Sequence, residues 1–291
     1  MSNLKEVKER IASVKATQQI TKTMRMVSAA KLKKAQERMI SLRNYHEKLD
    51  KLWSHLFSPE EGETPPNLLP YLHGNGQQEL WIGISSDKGL CGAFNSHVIK
   101  SLSKQIQEEH PTQKQNSILP IGKRIQSYVH KHQLPCHKIT LSSDISHLLN
   151  YPETEKLSIE LIQQFLKGEI NSVRIVYNSF KSTGTYLTQT IKLLPLGKDS
   201  LGDRDIYLYD SSQAELIADL IPHLLSIRLY QAILESISAE HAARMTAMDK
   251  ASENAKEILR DLQISYNRTR QAIITTELSE IIAGADALQA G

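Results

Sequence analysis

The sequence predicts an α+α/β chain: two long terminal helices paired as an antiparallel coiled coil, with an α/β domain inserted between them. Three observations carry this reading. Residues 1–58 hold neither proline nor glycine. From His223 onward there is no proline, and glycine stands only at 284 and 291. Between these ends, turn signals recur and short apolar runs alternate with helical stretches. Breaker-free ends around a punctuated middle give boundaries of 1–58, 76–208 and 209–291.

The first helix is supported by its seam. Leu4, Val7, Ile11 and Val14 follow a 3-4-3 spacing. Leu32, Ala35, Met39, Leu42, His46, Leu49, Trp53 and Leu56 alternate threes and fours, the pattern of a left-handed coiled coil. Between these runs, Thr21, Met24, Ser28 and Leu32 suggest a phase slip, as a stutter would give. Fifty-odd helical residues reach about 80 Å, too long for burial in a small globule without a second helix alongside.

The last zone supplies that helix. Ser212 and Glu215 have the spacing of a capping box. Helical spacing continues through Leu216, Leu220, Leu224, Ile227 and Leu234, with Pro222 inside it expected to kink or restart the helix. It runs on through Met245, Met248, Ile258, Leu262, Tyr266, Ile273, Leu278, Ile281 and Leu288. A helix from 212 to 286 exceeds about 100 Å and outruns the first, so its apolar tip projects alone or enters a partner.

The middle reads as strands at Leu80–Ser85, Ser117–Ile121, Val173–Tyr177 and, more weakly, Thr185–Leu194, with helices over 94–108, 122–132 and 153–168. Such alternation predicts a small, mostly parallel, Rossmann-like sheet. Pro59, Pro65, Pro66 and Pro70, with Gly62, Gly74 and Gly76, mark its entry.

Composition narrows the function. Aromatics are 5% of the 291 residues, which favours aliphatic helix seams over a conventional core. No apolar run is long enough for a membrane-spanning helix, and no secretory signal is visible. Cys91 and Cys136 lie too far apart for a CxxC pair or a zinc knuckle, and a reducing compartment is the natural reading. Residues 1–58 carry 13 Lys/Arg against five acids, a balance of +8. These charges spread around the helix without an aromatic platform, so they favour neither nucleic acid nor a membrane-lying helix.

Chemistry-bearing motifs are weak. The turn Ser85-Ser-Asp-Lys-Gly-Leu-Cys-Gly92 follows a strand and precedes a helix, where a glycine-rich turn can cradle phosphate. It is neither G-x-G-x-x-G nor a P-loop, so a structural turn is the stronger reading. His130, His132, Cys136 and His137 lack metal-site spacing. Ser142, Asp144 and His147 form a triad only on paper. No enzyme is indicated, and no cofactor or metal is expected.

Four segments then resemble the gamma subunits of F-type ATP synthases. Ile11–Gln36 resembles the N-terminal helix of that family. Ser85–Asn95 is similar to its central motif. Glu240–Asn254 and Tyr266–Ala285 resemble its C-terminal helix. The resemblance implies a non-catalytic rotor shaft: a coiled coil inside a hexamer of three alpha and three beta subunits, with its globular part against the epsilon subunit and the membrane c-ring. Ion flow turns the shaft, which drives each beta subunit through its states. By motif, Met24 and Arg25 match shaft positions at the mouth of the hexamer, and Arg244 lies near the same collar. Arg270, Gln271, Thr275 and Glu277 match positions that hydrogen-bond beta-subunit loops. Arg25 stands where many relatives carry an acid, and the paired cysteines of the light-regulated chloroplast form are missing. The resemblance implies a bacterial enzyme at the cytoplasmic face of the membrane. A passive coiled-coil scaffold and a nucleotide-binding α/β protein are the alternatives.

Overall fold

A computed structural model describes residues 2–56, 69–76, 78–109, 116–137, 145–196 and 213–289. The elements are α1 (Ser2–Leu56), α2 (Leu69–Leu72), β1 (Gln78–Ile84), α3 (Phe94–Glu109), β2 (Asn116–Ile121), α4 (Lys123–Lys131), α5 (Ile145–Leu148), α6 (Tyr151–Leu166), β3 (Ile170–Ser182), β4 (Thr185–Leu194) and α7 (Gln213–Gln289). The chain divides into two units, Met1–Ser28 with Met245–Gly291, and Ala29–Arg244.

The first unit is a helix pair. Half-buried and buried positions on α1 run Leu4, Val7, Ile11, Val14, Gln18, Thr21, Arg25, Ser28, and on into the second unit with Leu32, Ala35, Met39, Leu42, His46 and Leu49. Threes and fours alternate without interruption, so the expected stutter does not occur. Arg25, not Met24, holds the heptad position, with Met24 half-buried beside it. Four consecutive polar seam residues, Gln18, Thr21, Arg25 and Ser28, hide this register from an apolar reading. Trp53 and Leu56 have side chains outside the described set.

On α7 the matching seam is Met245, Met248, Ser252, Ala255, Leu259, Leu262, Tyr266, Thr269 and Ile273. Ile258 is 46% exposed and Leu259 takes the seam position expected of it. Arg25 meets Asp249 across the pair. Further along α1, Lys31 lies near Glu240 and His241 of α7, and Arg38 near Tyr230, so numbers rise on one helix as they fall on the other. The helices are thus antiparallel, and burial on α7 fades at Ile273.

The second unit is built on a four-stranded sheet of order β2-β1-β3-β4. β1 pairs in parallel with β2 and β3, while β4 pairs antiparallel with β3. The weakly alternating Thr185–Leu194 segment is therefore the return arm of a hairpin. Strand periodicity sorts the core. Leu80, Ile82 and Ile84 of β1 face one cluster, shared with Leu161 and Phe165 of α6, Leu224 and Ile233 of α7, and Ala35 and Leu49 of α1. Trp81 faces the other, with Val98 and Leu102 of α3 and Ile125 and Val129 of α4.

Helix α7 continues through Pro222, so the expected restart is not found. The missing amide and ring clash cost about 3 kcal/mol. Ile221, Leu224 and Leu225 flank the proline and are fully buried, and each such side chain contributes about 1.5–3 kcal/mol. Packing outweighs the local defect. The capping-box residue Ser212 lies outside the described residues.

Candidate partner-contact surfaces

The turn after β1 closes on itself. The Ser86 amide donates to Asn95 Oδ1 at 3.0 Å, and Asn95 Nδ2 donates to Ser86 Oγ at 2.9 Å and to the Cys91 sulfur at 3.2 Å. Ser86 also bonds the Lys88 carbonyl at 2.7 Å. Leu90 adopts a φ of 63° and is 64% exposed at the turn's crest, and Gly92 takes a φ of 59°. Across from it, Gly122 has a φ of 93°, and a Cβ there would lie 2.2 Å from the Ser85 carbonyl oxygen. That glycine lets α4 start against the turn, where Ser85 Oγ accepts the Ile125 amide at 3.0 Å. The loop donor that a phosphate cradle would offer at Ser86 is thus used within the turn.

Open α/β sheets hold ligands beyond the carboxyl ends of their strands. Here that place is met by α7. Ala239 packs with Cys91 and Phe94. Arg244 donates to the Lys88 carbonyl at 2.9 Å, the Gly89 carbonyl at 3.3 Å and Glu240 Oε1 at 2.6 Å. Both side chains of the pair are 9% exposed. Burial raises the Glu240 carboxyl above its ordinary range, with Arg244 pulling the other way. Burial, then Arg244 and Lys31, push His241 down to about 4, so this imidazole is neutral at pH 7. Arg244 thus spends its guanidinium inside its own chain, tying α7 to the turn.

Arg25 is more open. Its 2.7 Å bond to Asp249 joins side chains 43% and 48% exposed, an arrangement worth under about 1 kcal/mol. Arg270, Gln271, Thr275 and Glu277 are all exposed on α7. The Thr275 hydroxyl donates to the Gln271 carbonyl of its own helix at 2.9 Å. Interleaved with them stand Ile274, Leu278, Ile281 and Ile282, 45–67% exposed. Helical spacing sorts these into two rows, Arg270-Ile274-Glu277-Ile281 and Gln271-Thr275-Leu278-Ile282. The structure therefore groups Arg270, Gln271, Thr275 and Glu277 on one exposed segment, places Met24 and Arg25 on the coiled coil and sets Arg244 in a buried clamp.

The remaining candidates separate. His137 bonds Gln164 at 2.8 Å, and no group of three potential metal ligands converges among the described residues. Ser142 and Asp144, and the side chain of His147, lie outside them. Sequence reasoning missed Glu240 and Asp249, although both stood in quoted motifs. Their i, i+4 spacing to Arg244 and their cross-helix register to Arg25 were the available signals.

The ATP synthase family model matches residues 3–288. The ATP synthase gamma chain of Chlorobium limicola is 42% identical over 99% of this chain and 100% of its own length. That of Geobacter metallireducens is 37% identical over 99% and 100%. Among solved structures, a chain of the Euglena gracilis mitochondrial ATP synthase, in an assembly of OSCP, F1 and c-ring, aligns over 100% of this chain and 96% of its own. Its TM-score is 0.67 at 20% identity, a likeness of fold. With family, length and architecture in agreement, the chain belongs to the ATP synthase gamma-chain family.

Proposed function

We propose that this chain is the central-stalk rotor of an F-type ATP synthase and holds no catalytic site of its own. It couples rotation of the c-ring to conformational cycling of the catalytic beta subunits. The observation that carries this is the joint one: end-to-end family membership, together with a helix pair that ends at Ile273 and leaves an apolar tip exposed. An unpartnered helix with four large aliphatic residues in water is costly, and a sleeve of protein around it removes that cost.

In this reading one copy stands within three alpha and three beta subunits. The tip enters the hexamer, where Arg270, Gln271, Thr275 and Glu277 hydrogen-bond beta-subunit loops. Met24 and Arg25 lie at its mouth, where the basic arm meets acidic loops. Arg244 acts near the same collar by fixing the turn that carries Leu90. The α/β unit meets the epsilon subunit and the c-ring at the cytoplasmic face of a bacterial membrane. The asymmetric shaft changes the relative stability of beta-subunit conformers at each angle, which is a coupling free energy.

Native mass spectrometry of the chain co-expressed with its host's alpha and beta subunits tests this, with ATPase activity read on the same sample. One copy per three alpha and three beta, with ATP hydrolysis, is the expected result. A free monomer beside an active alpha–beta assembly refutes it.

A further inference from the structure

We infer that Glu235 is a positioning residue for torque transfer: it locks α7 against rolling on the sheet, so that a turn of the α/β body becomes a turn of the shaft helix. This rests on the rotor reading above, in which the c-ring turns the body and α7 must follow. Burial supplies part of the link. Ile221, Leu224, Leu225, Ile233 and Ile237 hold α7 to the main core cluster. Such burial is non-directional and mainly opposes separation. Hydrogen bonds are directional and weaken steeply once bent, so they oppose rolling as well.

The bonds between α7 and the body fall on two flanks of the helix. The Tyr230 hydroxyl donates to the Leu149 carbonyl at 3.2 Å, and Arg244 donates to the Lys88 carbonyl at 2.9 Å. The Glu235 carboxylate accepts the Ser179 hydroxyl of β3 at 2.7 Å. At 3.6 residues per turn, Arg244 lies about 40° round the helix from Tyr230, while Glu235 lies about 140° from Tyr230 and about 180° from Arg244. His223, 3.6 Å from Glu155, is back on the Tyr230 flank. Bonds on one flank leave a line about which a helix can roll. Glu235 fastens the other flank, about 8 Å along the axis from Tyr230 and about 14 Å from Arg244.

The carboxylate is aimed by its neighbours. The Gln231 amide, one turn earlier on α7, donates to Oε1 at 3.0 Å, and the Ser179 hydroxyl takes Oε2. The Tyr177 phenol, two residues before Ser179 on β3, also hydrogen-bonds Glu235. Burial, then the Glu235 charge, push the Tyr177 pKa up, so the phenol keeps its proton. Tyr177 in turn accepts from Gln189 of β4. β3 is an inner strand between β1 and β4, and Ser179 stands in register with Leu187. The bond therefore joins the shaft helix to the interior of the sheet rather than to a loop.

Torsional stiffness tests this in the complex of the full chain with its host's alpha and beta subunits. The hexamer is fixed to a surface, a bead is attached through the exposed Cys136 of the α/β body, and the spread of bead angles within each dwell is read. Glu235→Leu keeps the bulk and loses both acceptors. Its stiffness should fall at least twofold, and ATP synthesis by the complete enzyme in vesicles should fall at least threefold at limiting driving force, with ATP hydrolysis by the same complex unchanged. Glu235→Gln keeps an acceptor for Ser179 and should restore both readouts. Ser179→Ala removes the same bond from the sheet side and should also soften the shaft, which keeps the test decisive where Glu235→Leu fails to assemble. Unaltered stiffness in every variant that assembles, or a Glu235→Gln as soft as Glu235→Leu, overturns the inference and leaves the rotor reading standing. A bead on the unaltered chain that does not rotate overturns the rotor reading and this inference with it.

Discussion

Arg270 and Arg244 sit on one helix and face opposite demands. Arg244 is buried and its guanidinium is shared among Glu240 and the Lys88 and Gly89 carbonyls. Arg270 is exposed. Arg270→Ala should therefore leave the α/β unit folded, with unchanged circular dichroism and melting, and should impair ATP synthesis by the complex in vesicles. Unchanged coupled synthesis would remove Arg270 from the contact set. Arg244→Ala strands the Glu240 carboxylate in a buried site, and breaking such a pair costs about 3–5 kcal/mol. Replacing both partners, as Glu240→Gln with Arg244→Met, should recover much of that loss in denaturant unfolding. Equal stability of the single and double variants would mean the pair is not coupled.

His241 brings a pH dependence of known sign. Its folded pKa of about 4 lies below the ordinary value of about 6.5. The unfolded chain therefore binds more protons between these values, and stability falls as pH drops through this window. The loss is up to about 3 kcal/mol from this group. Glu240, whose pKa is raised, takes up its proton more readily when folded and opposes the trend. The effect is best measured in a Glu240→Gln background. There, denaturant midpoints should fall between pH 6.5 and 4.5, and adding His241→Gln should flatten the slope.

At the scale of elements, the helix pair makes a register prediction. Leu259 holds a seam position and Ile258 is exposed. Leu259→Ala should cost about 1–3 kcal/mol, toward or below the lower end for fully buried leucine because the site is half-buried. Ile258→Ala should stay within about 0.5 kcal/mol. Reversed costs would place the seam one residue away. The sequence alone revealed the apolar stretches of this seam. It did not reveal the stretch from Gln18 to Ser28, because polar residues occupy heptad positions there and apolar periodicity has nothing to count. Pro222 misled for the complementary reason: a local rule predicted a break, and burial of its neighbours overrode it. Strand positions were legible from β-rich runs between breakers. The antiparallel placement of β4 was not, because a strand's direction depends on its partner and leaves no mark in its own residues.

At the scale of the whole molecule, the two long helices and the inserted α/β fold were legible from where proline and glycine are absent. The proposed contact residues were not legible from periodicity, because an exposed coiled-coil face and a docking face use the same residue types. Motif resemblance supplied them, and the structure adds which are free to face a partner and which are spent inside the chain. The central claim is that this chain turns within an alpha–beta hexamer. Single-molecule rotation tests it most directly, with the hexamer fixed to a surface and a bead attached through the exposed Cys136. The account predicts unidirectional rotation in discrete steps, three per turn, when ATP is supplied. A bead that stays fixed while the same molecules hydrolyse ATP would contradict it.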